Sequence, residues 1–167
     1  MVELLPLSDI EPQAVEELLD AAFGADRFGR TAYRIRAGAA AVPALSFALV
    51  EDGALVGTIQ CWPVAHCAAD GTATPLVMVG PVAVRPDLQR GGHGRVLMTH
   101  MLAAAEDGAD GALMMIGDPE YYGRFFGFDA DATAAWNLPG PFEQRRLLAR
   151  AVNGHGLPTG AGMIGPR

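Results

Sequence analysis

Lysine is missing from these 167 residues, and the 12 basic side chains are all arginine. Without lysine there is neither a Schiff-base nucleophile nor the cation of a phosphate-binding P-loop. Cysteine is scarce. Cys61 and Cys67 stand alone, and a single pair at this spacing is no zinc signature; reduced structural thiols and no metal are expected. Long apolar runs are also lacking. The longest, Pro75 to Val84, is interrupted by Gly80-Pro81 and is too short to cross a bilayer. The opening Met1 to Leu7 has no basic region and is broken by Pro6, which makes it a poor signal peptide. Excess positive charge is absent too, with a net charge of −7. That argues against a general nucleic-acid or anionic-membrane partner, since counterion release needs clustered cations. A soluble, cytoplasmic protein is expected.

What is present suits one packed domain over residues 1–167: half the side chains are hydrophobic and 19% are charged. Val2 to Leu7 reads as a strand, and Ser8 to Glu11 as a capping box with Asp9 as a competing cap. Ala14, Val15, Leu18, Leu19, Ala22 and Phe23 then repeat at helical spacing. Phe28 to Ala37 suggests a second helix; Arg27, Tyr33 and Arg34 could recognise an anionic group, but the arginines read better as a solvated face. Leu45 to Val50 and Leu55 to Trp62, joined through Asp52-Gly53, read as a hairpin. Leu76 to Val84 is apolar enough for a strand covered on both faces, and Gly80-Pro81 within it predicts a bulge. A helix from about Gly94 to Glu106, a strand Leu113 to Ile116, a short helix Pro119 to Phe126 and a return to strand from Phe128 follow. A last strand or helix at about Arg145 to Val152 precedes a glycine-rich tail. The order predicts an α/β fold on a mixed sheet.

Two segments carry chemistry. Gln89-Arg90-Gly91-Gly92-His93-Gly94 lies between a strand and a helix. Glycines admit a ligand to the backbone, and the unpaired first-turn amides with the helix dipole favour an anion such as a pyrophosphate. Alone, the loop equally suits a tight turn that binds nothing. Some thirty residues on comes Gly117-Asp118-Pro119-Glu120-Tyr121-Tyr122-Gly123-Arg124-Phe125-Phe126-Gly127-Phe128.

Taken in order, these segments resemble the GCN5-related N-acetyltransferase (GNAT) family. Gln89, Gly92 and Gly94 match its acyl-CoA pyrophosphate motif, and Gly80 to Pro86 looks like its bulged fourth strand. The later segment is similar to the family's YhbS-like branch. The resemblance implies a mixed central sheet splayed at the bulged strand, with flanking helices and acetyl-CoA as cosubstrate in the split. Pantetheine would pair with backbone at Val82, Ala83 and Val84. The pyrophosphate would rest on Gln89, Arg90, Gly91, Gly92, His93, Gly94 and Arg95. An amine acceptor would attack the thioester directly, and a tyrosine would serve the leaving thiolate: Tyr122 first, Tyr121 second. The extra residue at Phe125-Phe126 shifts the family's usual spacing, so counting back from Gly127 reaches Gly123. His66 is a candidate base, though a structural role suits it better. A non-catalytic acyl-CoA sensor, a longer acyl donor and a homodimer through sheet edges stay open as alternatives.

Overall fold

A computed structural model describes residues 1–167. Its centre is the long apolar strand Ala73–Val84 (β4), which pairs antiparallel with Ala54–Cys67 (β3). Side chains alternate across β4. Val77 and Val79 face the helix His93–Gly108 (α3), packing with its Leu97, Met98, Met101 and Ala105. Leu76 and Met78 face the opposite layer, with Ile35 and Trp136. Cover on both faces explains why the segment reads as a continuous apolar run.

Val2–Pro6 (β1) and Phe47–Glu51 (β2) extend the sheet beyond β3. On the other side, Ala112–Ile116 (β5) runs parallel to β4, and Leu147–Arg150 (β7) closes the edge antiparallel to β5. The β4–β5 pairing covers only Leu76–Met78 against Ala112–Met114. Past Met78 the register against β3 jumps from Val79↔Cys61 to Val82↔Ile59, so Gly80-Pro81 is a bulge on β4. Beyond the bulge β4 continues along β3 and leaves β5, which opens the sheet into a wedge. The fold is the splayed mixed α/β sheet that the sequence predicts.

Local departures have physical causes. The helix after β1, Pro12–Phe23 (α1), starts at proline with Glu11 as its N-cap and no side-chain cap bond. Pro12 has a fixed φ and no N–H to satisfy, so it sets the first turn, and Leu7–Asp9 forms a separate 3-10 turn. The region expected as one helix from Phe28 to Ala37 divides into a 3-10 turn, Arg27–Gly29, and a short helix, Thr31–Ile35 (α2). The division lets Arg27 turn inward, where it is 2% exposed. It donates to Glu16, to Asp20 at 3.1 Å and to the Tyr33 hydroxyl at 3.1 Å, with Phe28 stacked at 4.2 Å. These arginines are therefore not all one solvated face. Arg27→Met should lower the unfolding free energy in urea by about 2 kcal/mol, between the limits for buried and exposed pairs, because both carboxylates stay half in water.

Pro119–Phe126 (α4) has the predicted bounds. The return to strand after Phe128 does not occur; a lone bridge at Asp129 leads to turns and then to the two-residue strand Trp136–Asn137 (β6). The glycine-rich tail contains an unforeseen strand, Gly162–Pro166 (β8), paired with Val64–Cys67 of β3 and with β6. Strand β2 covers one half of β3 on that edge, and β8 satisfies the backbone of the other half. No helix is long and apolar enough to cross a membrane.

Candidate active site

The wedge between β4 and β5 forms a cleft of about 750 Å³. Met78 to Val82 supply one wall, and Met115 to Asp118 with Tyr122 supply the other. The mouth is framed by the Arg27–Arg36 region and by Pro141, Phe142, Glu143 and Arg146.

Tyr122 reaches this cleft because α4 begins immediately after β5, with Asp118 as N-cap and Pro119 in the first turn. Its ring lies on Gly117, where a Cβ would sit 2.7 Å from the ring carbons. Only glycine leaves that space. Burial, helped by Tyr121 and Asp118, pushes the Tyr122 phenol up to about 12, with Arg146 opposing. Tyr121 packs edge-on against Tyr122 at 4.9 Å and beside Phe125 and Phe126, outside the cleft lining. Gly123, the position reached by the usual count, faces the Phe128 carbonyl, 2.9 Å from where a Cβ would stand. A side chain there would point away from the cleft.

The glycine loop lies at the open end of the wedge. Gly92, with φ 80, is the left-handed N-cap of α3, and the space where its Cβ would stand is open. Gly94 lies against Val82 and Val84, each 3.9 Å from a Cβ built there. The amides of Gly92, His93, Gly94 and Arg95 donate no backbone hydrogen bond, as first-turn geometry requires. The His93 ring folds back beside Gly91, with Nε2 3.9 Å from Glu51 and Nδ1 buried without a partner. Gln89, Arg90 and Gly91 are exposed, and the Arg95 guanidinium lies 4.5 Å above the Phe125 ring.

On β4, Arg85 N–H donates to the Val56 carbonyl at 2.9 Å. Antiparallel alternation then turns Ala83 backbone to Thr58 and leaves the N–H and C=O of Val82 and Val84 on the side that β5 has vacated. Ala83 offers the cleft neither backbone nor side chain, for its methyl packs under α1. Val82 and Tyr122 thus line the cleft, Gly94 of the loop abuts Val82 and Val84, and Ala83 and Tyr121 lie outside the lining.

Other candidates lie elsewhere. His66 pairs across from Thr74 and Ile164 at the far end of β3, with Nε2 3.0 Å from the Gly160 carbonyl, remote from the bulge. His100 is exposed beside Phe47. Cys61 is buried on the α3 side, which pushes its thiol up, and Cys67 is exposed; both are free. No group of His, Cys, Asp and Glu could hold a metal ion.

Sequence reasoning missed three features of the cleft. Arg36, only 7% exposed, is sandwiched between Tyr33 at 4.0 Å and Trp62 at 3.9 Å. Trp62 is held by its Nε1–H donating to the Gly80 carbonyl at 2.7 Å, so the stack is tied to the bulge. Glu143 and the Asp118–Arg146 pair, 3.4 Å apart, complete the charged groups. A polar residue following Ile35 on an otherwise burying turn was the available signal for Arg36; nothing local marks Glu143.

A mixed sheet split behind a bulge, with a glycine-fronted helix facing the split, is the arrangement that the sequence resemblance implies. The sequence pattern of the acetyltransferase (GNAT) family matches residues 12–128, and the chain belongs to that family. It is similar to the GNAT family N-acetyltransferase YhbS of Escherichia coli in complex with CoA, at 20% identity and a TM-score of 0.70, over 100% of this chain and 89% of that one. It is also similar to a GNAT family acetyltransferase from Brucella melitensis in complex with acetyl-CoA, at 24% identity and a TM-score of 0.66, over 100% and 96% of the two chains. The ribosomal-protein-S18-alanine N-acetyltransferase of E. coli is 19% identical, with a TM-score of 0.58 over 93% and 97%. These likenesses establish the fold. No curated protein matches the chain.

Proposed function

We propose that residues 1–167 form one N-acetyltransferase domain that moves an acetyl group from acetyl-CoA directly to a primary amine. The observation that carries this reading is that the loop with its free amides abuts Val82 and Val84, whose outward backbone adjoins the cleft lined by the half-buried Tyr122. Two similar structures hold acetyl-CoA or CoA, which supports the same cosubstrate here. Pantetheine amides would pair with Val82 and Val84 as an added strand does. The pyrophosphate would sit on the amides of Gly92 to Arg95, at the positive end of α3.

With the thioester beside the bulge, the amine nitrogen attacks the carbonyl carbon, the new C–N bond forms and the C–S bond breaks. The electron pair leaves on sulfur. Tyr122 lies on the wall where that sulfur would emerge. Its phenol at about 12 is a weaker acid than a thiol of about 8.5, and full proton transfer is uphill by roughly 5 kcal/mol. Tyr122 therefore acts as a hydrogen-bond donor to the developing thiolate and keeps its proton. The amine's proton leaves through water towards the cleft carboxylates, Asp118 and Glu143. Such a reaction belongs in the cytoplasm, where acetyl-CoA is made and used.

Thiol release from acetyl-CoA, measured against polyamines, aminoglycosides, amino acids and short peptides, tests the assignment. Release that depends on one class of amine is the expected result. Tight coenzyme binding with release no faster than the amine-free blank across the panel would make the chain an acyl-CoA sensor instead.

A further inference from the structure

Arg36 is the one cation of the cleft that is both buried and without an acidic partner. Arg27 is answered by Glu16 and Asp20, and Arg146 by Asp118. Arg30 is exposed and donates to the Phe23 carbonyl. Arg36 forms no ion pair, and its Nη1 is buried without any hydrogen-bond partner. A buried charged donor left unmatched costs free energy, which a ligand accepting from the guanidinium's remaining N–H groups would offset.

The geometry limits what that ligand is. The Tyr33 and Trp62 rings lie 4.0 and 3.9 Å from the guanidinium carbon, and a group packed between aromatic rings is left to bind through its N–H groups. A guanidinium edge presents parallel donors spaced for the two oxygens of a carboxylate. The Trp62 bond to Gly80 holds the stack beside the bulge, where the thioester carbonyl would lie. Neither overall charge nor steering supplies this preference, since the chain is −7 and attracts cations from a distance.

We propose that the acceptor is a small primary amine carrying a carboxylate, and that Arg36 receives this carboxylate edge-on while the amine faces the thioester. This rests on the acetyltransferase reading. The carboxylate would fix the amine's position, so the contact raises turnover as well as affinity.

The test compares glycine, β-alanine and 4-aminobutyrate, each against its own carboxamide, as acceptors for the wild type, Arg36→Met and Arg36→Lys. The wild type should favour at least one acid over its amide by about 100-fold in kcat/KM, as expected where a site is built around a polar group. Arg36→Met should reduce that ratio to within about threefold, and Arg36→Lys should leave about tenfold, since a point charge lacks the fork. Amides accepted as well as acids by the wild type, or a ratio unchanged in Arg36→Met, would overturn the proposal. Calorimetry with acetyl-CoA separates it from the reading beneath it. If the coenzyme does not bind, the transferase assignment fails, and Trp62 fluorescence then decides on Arg36. Quenching by an acid and not its amide, lost in Arg36→Met, supports the carboxylate site; no quenching by any acid overturns it.

Discussion

Tyr122→Phe lowers kcat by about 100-fold at saturating acetyl-CoA, the usual loss when one donor to a developing anion is removed. Coenzyme affinity stays within about twofold, because the hydroxyl's bond forms only as the thiolate appears. The ring remains, so its packing on Gly117 and against Tyr121 is kept. The pH profile gives an independent reading. With the folded phenol raised to about 12, Tyr122 stays protonated throughout the range in which an amine of pKa ~10.4 loses its proton. Wild-type kcat/KM should therefore rise with pH to a plateau, without an alkaline fall between about pH 9 and 11. The linkage has a definite sign. A phenol raised in the folded state adds stability that is whole below about pH 10 and lost as pH climbs towards 12. Tyr121→Phe, outside the cleft, serves as the control and should change kcat by less than about threefold.

Gly92→Val lowers stability through backbone strain and weakens acetyl-CoA binding by about 100-fold through the volume it adds. Gly92 has φ 80, and a β-branched residue in that conformation costs roughly 1–2 kcal/mol. Its side chain would also fill the open space in front of the α3 amides, the space a pyrophosphate needs. Gly154→Val isolates the first cause. Gly154 has φ 76 and open space around it, but lies in the turn between Val152 and His155. It should lose stability comparably and leave coenzyme affinity intact. Equal loss of affinity in both variants would mean that the loop acts only through folding.

The parts legible in the sequence were those whose signal is local. The apolar length of β4, the stripe of Leu97, Met98, Met101 and Ala105 on α3, and the Pro119 start of α4 each decide their element within a few residues. Gly80-Pro81 marked the bulge because proline cannot join a ladder. The missed parts depend on distant partners. Strand β8 has the glycine and proline content of a loop and is extended because half of β3 lacked a neighbour. The arginines from Arg27 to Arg36 read as a solvated face, since the acids that receive Arg27 lie on α1 and one of the two rings that cover Arg36 lies on β3. The sequence already ranked Tyr122 ahead of Tyr121, but did not show the reason its ring fits beside the cleft, which is the space that Gly117 leaves. Ala83 was counted with Val82 and Val84 because a run of three residues does not reveal which way the ladder turns each backbone.

A single-turnover experiment with one equivalent of acetyl-CoA tests the central claim most directly. Before an acceptor is added, the protein's intact mass should be unchanged and no thiol should appear. After a suitable amine is added, one thiol and one acetylated amine should form per acetyl-CoA. Thiol release with an acetylated protein before any amine is present would contradict direct transfer. Bound acetyl-CoA that survives every amine unchanged would contradict catalysis itself.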